Sequence, residues 1–475
     1  MTERPARDAA ARIWVPGQRL LTVGLIATIT LFAFESLAVA TVMPLVEEDL
    51  GDLWLYGWVF SGFFLGQVLG IVVAGWWCDR AAPSRPFTVG VVLFVAGLLV
   101  SGAAGSMHVL VGGRVLQGLG AGAIPAVAYV CIARGYPEGC RPRMFALLST
   151  AWVVPAVLGP GLSGVVGEAA GWRAVFLGLV PIVVVSGAVA IAGIRSLPAG
   201  DRAGAATVPL PRAVQVTAAA AMVVGGLNTD QPAIALPRVV VGLMIGLPAF
   251  RALTPPGTLH ARAGLPAAIA ARGIITFAFF GAETFVPLAL DELRGLSPAV
   301  AGAALTLSAL AWTSGSWVQE RTVERIGPRR LVRAGNVLLL VGVGGVVVGL
   351  AGAVPVAVIY LAWMFAGLGM GLSFAPQSIV VLGEADPGAE GRATSSLQLC
   401  DTLGVALGTG TAGAIVAAGD GAGWELRPTL QGVFLLSAAV AAGGVLVAGR
   451  LPEQMVRGRV EDHLTTAVTP ASSTP

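Results

Sequence analysis

Apolar residues run along this chain in blocks of roughly twenty, divided by short polar stretches. The blocks cover 20–46, 54–77, 87–105, 109–133, 145–167, 172–194, 213–228, 232–250, 266–290, 298–319, 331–352, 355–382, 393–418 and 428–449. Most are long enough to carry an α-helix across a hydrocarbon core of about 30 Å. They lack the alternation of a barrel strand. Only internally bonded helices or closed barrels satisfy their backbone in lipid, so the pattern predicts an all-α polytopic membrane protein of fourteen helices. The seventh and eighth blocks are the weakest. Fifteen residues lie between Arg212 and Asn228, about 22 Å of helix, and the eighth block carries Pro237 and Arg238. A tilted hairpin or a pair at the membrane surface fits both. Because they come as two, removing them leaves the sidedness of the others unchanged.

Composition agrees with a bilayer protein. Of 475 residues, 56% are apolar and only 12% charged, with a mean hydropathy of +0.82, against about 25% charged in soluble domains. The first apolar block follows an 18-residue tail, is long for a signal sequence and contains Glu35, so it is expected to stay as helix 1. All 29 basic residues are arginine. Without lysine, a G-x-x-x-x-G-K-[ST] phosphate loop is impossible, and energy must come from an ion gradient, a partner or the substrate's own gradient. The glycines at 118, 120 and 122 follow no strand, so they do not read as a dinucleotide loop. Cys78, Cys131, Cys140 and Cys400 show no C-x-x-C pairing, and the three histidines share no helix face. Cofactors, bound metal and nucleic acid are not expected.

Arginine placement sets the sidedness. Groups of arginines precede helix 1 and follow helices 2, 4, 6, 8, 10, 12 and 14; Arg251, Arg262 and Arg272 form the group after helix 8. Twenty-four fall on that side, against three (Arg173, Arg294, Arg427) on the other. The positive-inside rule then places both termini in the cytoplasm and the chain in the cell membrane. The first outer loop is acidic, with Glu47, Glu48, Asp49 and Asp52.

The two halves repeat. Gly75 to Arg80, closing helix 2, matches Ser316 to Arg321, closing helix 10, so that Asp79-Arg80 answers Glu320-Arg321. Gln117 to Gly122 matches Ala366 to Gly371, each followed by a proline, Pro125 and Pro376. The stretch from Arg143 through Gly159 to Gly164 matches that from Arg392 through Gly408 to Gly413. Parallel repeats of this kind imply two six-helix bundles about a pseudo-twofold normal to the membrane, with a site at mid-depth between them. The domains read as a tail (1–18), a first bundle (19–194), a linker holding two extra helices (195–254), a second bundle (255–450) and a disordered tail (451–475).

Four patterns carry a resemblance over roughly residues 20–450. Arg114-x-x-Gln117-Gly118-x-Gly120-x-Gly122 sits in the fourth helix. Gly75, Asp79 and Arg80 close the second, followed by Ala82-Pro83-Ser84-Arg85. Gly159-Pro160-Gly161 and Gly164 mark the fifth, and Gly171-Trp172-Arg173 starts the sixth. Glu35 to Pro44 matches L-D-x-T-x-x-N-x-A-x-P, with Leu37 and Ala40 at its Thr and Asn positions. The chain resembles the major facilitator superfamily, in particular its fourteen-helix drug:proton antiporters. The resemblance implies the major facilitator fold, a monomer, and export of a small-molecule substrate against protons.

Each pattern has a physical reading. Asp79 at a helix end, beside Arg80, is placed to pair across the bundles and hold one conformation closed, with Glu320 and Arg321 as its repeat. The glycines around Pro160 give helix 5 a kink and a bare face that slides against a neighbour. Glu35, Arg114, Glu283 and Asp401 lie inside spans, where ionisable groups are costly and mark transport paths. On ideal helices Glu35 is near mid-depth, Glu283 about 10 Å from the outer end and Asp401 about 12 Å from the inner end. Low dielectric favours a neutral carboxyl group and a nearby guanidinium favours the charged one, so Glu35 with Arg114 forms a tunable proton switch. Phe32, Gln67, Trp152, Phe279, Trp312, Gln377 and Gln398 are the candidate cavity residues.

The leading expectation is a proton-coupled exporter of small amphipathic or cationic compounds. A dedicated exporter of one metabolite, antibiotic or lipid keeps the same fold; a non-transporting sensor or scaffold has no need of buried carboxylates beside Arg114. No nucleophile–base or metal constellation suggests an enzyme.

Overall fold

A computed structural model describes residue 14 and residues 18–51, 55–199, 210–227, 229, 232–296, 298–386 and 388–454. Most of both expected tails lies outside this set, as do the side chains of Ala40, Pro44, Glu47 and Pro160. Among the described residues there are sixteen α-helices and no strand. They are α1 (Arg19–Leu50), α2 (Tyr56–Cys78), α3 (Ser84–Gly102), α4 (Met107–Gly135), α5 (Arg141–Thr150), α6 (Val153–Ala170), α7 (Trp172–Ile194), α8 (Leu210–Leu227), α9 (Pro232–Leu253), α10 (Leu265–Glu283), α11 (Val286–Arg294), α12 (Pro298–Ile326), α13 (Pro328–Gly349), α14 (Ala357–Glu384), α15 (Glu390–Gly421) and α16 (Leu426–Ala448).

Two spans are broken, and proline accounts for both. Pro155 and Pro287 have no N–H to give the carbonyls four residues earlier, those of Ala151 and Glu283. The helix stops there each time, so α5/α6 and α10/α11 are each one span with a joint. Among the described residues twelve helical runs are long and apolar enough to cross a membrane, α8 and α9 among them. The α5/α6 span and α12, whose last turns carry Glu320, Arg321, Glu324 and Arg325, are not among the twelve.

Glycine sets the packing within each bundle. A Cβ on Gly118 or Gly122 would overlap the carbonyls of Phe63 or Gln67 on α2, and one on Gly120 the carbonyl of Gly90 on α3. In the second half, Gly367 and Gly371 meet the carbonyls of Ser308 and Trp312 on α12, and Gly369 that of Gly335 on α13. The glycine repeat thus builds the same three-helix sandwich twice. Without a hydrophobic drive between helices in lipid, such close backbone approach is a main source of cohesion.

Both terminal helices end on one side. Gln18 donates to the carbonyl of Gly135 at the end of α4, and the Gly264 N–H to that of Arg450. At this end the bundles share one apolar core, in which Val127 and Cys131 join Ala268, Val380 and Leu397. A second core, including Ile275, Phe279, Trp363 and Phe434, belongs to the outer half of the second bundle alone. The helices α8 and α9 form a hairpin over the junction: Val216 of α8 clusters with Val68 of α2, Leu399 of α15 and Ala249 of α9. Ser396 of α15 donates to the carbonyl of Leu253 at 2.9 Å.

Candidate functional site: two buried ion pairs and a closed end

Ser106 caps α4, accepting from the Val109 N–H at 3.4 Å, and two turns on the helix delivers Arg114 into the bundle. Arg114 is 2% exposed and Glu35 of α1 fully buried; the two form a direct ion pair. The guanidinium also donates to Gln117 Oε1 at 2.8 Å and the Val59 carbonyl at 3.3 Å, with Phe63 over its face at 4.2 Å. The second carboxylate oxygen of Glu35, Oε2, is sealed and has no hydrogen-bond partner. A buried acceptor left unpaired is where an added proton costs no existing bond.

The second bundle holds another pair, with its parts redistributed. Arg272 of α10, wholly buried, donates to Gln377 Oε1 and Ser378 Oγ of α14, each at 2.8 Å, and to the Phe374 carbonyl. Phe374 lies 3.5 Å from its centre, and Asp401 Oδ2 of α15 is 3.8 Å away. In the first bundle the acid is on the first helix and the arginine on the fourth. In the second the arginine is on the first helix and the acid on the fifth. Grouping Arg272 with a loop is therefore corrected: it lies inside a span, and three hydrogen bonds, the Phe374 ring and Asp401 offset its desolvation.

At the end carrying the termini, Asp79 follows the last turn of α2 and accepts the N–H groups of Gly391 (2.7 Å) and Arg392 (3.1 Å), which open α15. Gly75 makes this possible, because a Cβ there would overlap the Gly391 carbonyl. Arg134 of α4 ties the knot, donating to Glu390 at 3.1 Å and standing 4.0 Å from Asp79. Burial pushes the Asp79 carboxyl above its ordinary range; the two N–H groups and the nearby Arg392 and Arg134 pull it back only in part. Arg80, two residues past the end of α2, folds back on that helix, donating to the Trp76 carbonyl at 3.1 Å and lying over the Trp76 ring at 4.6 Å.

The repeat of this contact differs from the expected one. Glu320 and Arg321 make no ion pair or hydrogen bond among the described residues, and Arg321 is exposed. Gln319, one position earlier, donates to the Pro142 carbonyl at 3.2 Å, and Trp317 to Thr150 Oγ1 at 3.0 Å. The amide reaches α5, while the half-buried acid beside it bonds nothing among the described residues.

The cavity candidates divide. Phe32 meets Trp152 edge-on at 5.8 Å, and Trp152, at the joint of α5/α6, is 42% exposed. Gln67 and Gln398 sit at the edge of burial, and Trp312 is half-buried. Phe279 and Gln377 are sealed, the first stacked on Trp363 at 5.0 Å and the second held by Arg272, so neither lines an opening in this state. A Cβ added to Gly159 or Gly164 of α6 would keep an ordinary distance from α1, 3.6 Å to Leu37 and 3.9 Å to Thr41, and one on Gly161 would meet nothing within 4 Å. Arg134, Glu390, Arg392 and Arg272 were missed as site residues because each reads as an ordinary charge near a helix end.

The model of the Major Facilitator Superfamily matches residues 23–409 and again 268–470. The chain belongs to this superfamily. It is a multi-pass membrane transporter, not an enzyme. It is similar to a probable multidrug-efflux transporter of Mycobacterium tuberculosis, 24% identical over 467 residues that span 94% of this chain and 98% of that protein. It is also similar to the multidrug efflux pump SdrM of Staphylococcus aureus, 19% identical over 90% of this chain and 96% of the pump. Among solved structures, the human organic anion transporter MFSD10 superposes with a TM-score of 0.70 at 14% identity, covering 91% of this chain and all of that one. A bacterial homologue of the iron transporter ferroportin in an outward-facing state gives 0.66, also at 14%, over 91% of this chain and 98% of that one. At such identities the superpositions speak for the fold.

Proposed function

We propose that the chain is a proton-coupled antiporter that exports small amphipathic or cationic organic compounds across the cell membrane by alternating access. The arginine-rich end, which carries both termini, is the cytoplasmic one, and the chain works as a monomer without a cofactor. The observation that carries this reading is the Glu35–Arg114 pair with its unpartnered Oε2. Multidrug-efflux relatives over nearly the whole length support the direction of transport.

In the form described, the Asp79–α15 contact closes the cytoplasmic end and the outer halves share no core. A proton from outside reaches Glu35 Oε2, Arg114 loses its counter-charge, and the pair loosens. Compound release outward, closure of the outer halves and parting of Asp79 from α15 then expose the site inward, where the proton leaves. One proton moving down a gradient equivalent to 100 mV supplies about 2.3 kcal/mol, enough for roughly a 50-fold compound gradient at one-to-one coupling.

Purified protein in liposomes with an internal pH dye and an imposed proton gradient tests this. Proton movement triggered by cationic or amphipathic compounds is expected. Compound or lipid transfer without proton movement contradicts the coupling, and silence throughout contradicts transport.

A further inference from the structure

The charges at membrane depth are largely settled within the protein. Glu35 has Arg114, Asp401 has Arg272 at 3.8 Å, and Glu283 ends α10 half-buried. Along the end that carries the termini the arginines are less evenly matched. Arg141 has Glu138 at 3.8 Å, and Arg329 has Glu453 at 2.6 Å. Arg330 and Arg333, the next two on α13, are exposed, and their side chains make no ion pair or hydrogen bond among the described residues. The first turn of α13 holds no acid to offset them.

An uncovered strip continues from these two arginines along the helix. Arg330, Arg333, Val337, Val341, Gly344 and Val348 recur at steps of three, four, four, three and four, which puts them on one face of α13. Val337, Val341 and Val348 are 41%, 54% and 59% exposed, and a Cβ on Gly344 would meet nothing within 4 Å. The opposite face, including Val332, Asn336, Leu339 and Val346, is buried. From Val337 to Val348 the strip runs about 16 Å, half of a hydrocarbon core of about 30 Å and so the depth of one leaflet. Arg333 stands one turn nearer the start of the helix, where a long side chain reaches headgroups.

An apolar strip facing the bilayer is covered by acyl chains, and the arginines select whose. A guanidinium matches a phosphate through two parallel N–H donors. A zwitterionic headgroup brings its own cation to that place, whereas a glycerol headgroup leaves the phosphate charge uncompensated. In the first bundle the counterpart helix α3 has exposed valines too, Val89 and Val92, but a single arginine, Arg85, ahead of them.

We propose that the exposed face of α13 is a binding site for an anionic phospholipid, with Arg330 and Arg333 on its phosphate and an acyl chain along Val337, Val341, Gly344 and Val348. The site is independent of the direction and the energy source of transport.

The test reads which lipid lies there. Val341 is replaced by the photocrosslinker p-benzoylphenylalanine, and the full chain is reconstituted in liposomes of equal parts dioleoylphosphatidylglycerol and dioleoylphosphatidylcholine. After illumination the crosslinked lipids are counted by mass spectrometry. Each arginine beside an anionic headgroup is worth about fivefold, so position 341 should favour phosphatidylglycerol roughly thirtyfold, and the same probe in place of Val92 only about fivefold. Arg330→Gln with Arg333→Gln should bring position 341 near parity, and Arg330→Lys with Arg333→Lys should keep most of the preference. Parity at position 341 with both arginines present overturns the site. So does an equal preference at both positions, which is the charge of the whole surface alone, and this comparison needs no arginine variant to fold. A preference that survives the double glutamine substitution overturns the role of Arg330 and Arg333.

Discussion

Asp79 and Gly391 stand 312 positions apart and meet through a hydrogen bond of 2.7 Å that joins the two bundles. An acidic side chain at a helix N-terminus satisfies open N–H groups and meets the positive end of the helix dipole, together about 1–2 kcal/mol. Its value lies in being reversible. When α15 and α2 part, water takes over both groups, so the contact biases one state without welding it.

Asp79→Ala is therefore expected to open the closed end in a folded protein. Cys78, fully buried beside it, is a native reporter, and its maleimide labelling, resolved by mass spectrometry, should rise about five- to thirtyfold for a loss of 1–2 kcal/mol. Unchanged labelling means the contact is incidental. A pH effect follows as well. Since burial raises the Asp79 carboxyl in the closed form, that form binds the proton more tightly than one in which Asp79 meets water. Its advantage is full below the ordinary carboxylate range and is lost as pH rises through the raised value. Acidification should shorten the distance between spin labels at Glu138 and Arg325, and Asp79→Asn should flatten the response.

The glycines divide by what surrounds them. Gly118→Ala puts a methyl group into the Phe63 carbonyl and is expected to abolish folded protein, whereas Gly161→Ala meets open space and Gly159→Ala only ordinary contacts. Detergent-stable yield by size-exclusion chromatography checks this. Folded Gly118→Ala, or loss of Gly161→Ala, contradicts the packing described for α4 and α6.

How much of this was legible beforehand follows from what each signal depends on. Glycine spacing is local, so the α4/α14 repeat could be read from Gly118–Gly122 and Gly367–Gly371. Depth along a helix is also local, which is why Glu35 and Arg114 could be matched across 79 positions. Azimuth and partner choice are not local. Arg272 follows Arg251 in the last turn of α9 and Arg262 in the connection after it, and nothing nearby announces that Gln377, Ser378 and Asp401 will surround it. The same limit hid Arg134 and Glu390, and made Glu320 look like a partner where Gln319 is the one that reaches across.

The hairpin of α8 and α9 touches both bundles, through Val68 on α2 and Leu399 on α15. Replacing residues 197–253 by a flexible linker should keep both bundles folded, since the shared core and that of the second bundle draw no fully buried residue from the hairpin, but lower Tm by several degrees because the junction is uncovered. Transport in liposomes is expected to fall without vanishing. Full activity at an unchanged Tm means the hairpin is a passenger, and complete loss in well-folded protein makes it part of the transport path.

The Glu35–Arg114 pair makes a prediction that separates charge from shape. Removing one member of a buried ion pair leaves a charge without compensation, at a cost of about 3–5 kcal/mol, while neutralising both together costs far less. Arg114→Gln alone strands the fully buried Glu35 carboxylate without a counter-charge and should lower Tm sharply. Glu35→Gln alone leaves Arg114 its bonds to the Val59 carbonyl and Gln117, so a smaller loss is expected. Glu35→Gln with Arg114→Gln should recover most of the Tm while remaining unable to couple export to protons. Thermal unfolding of the three variants reads the first part, and the liposome pH dye the second. If the double variant is as unstable as Arg114→Gln, the arginine is held by its other partners and the pair is not a unit. If Glu35→Gln still moves protons with compound, the coupling carboxylate is Asp401, with Arg272 in the place of Arg114.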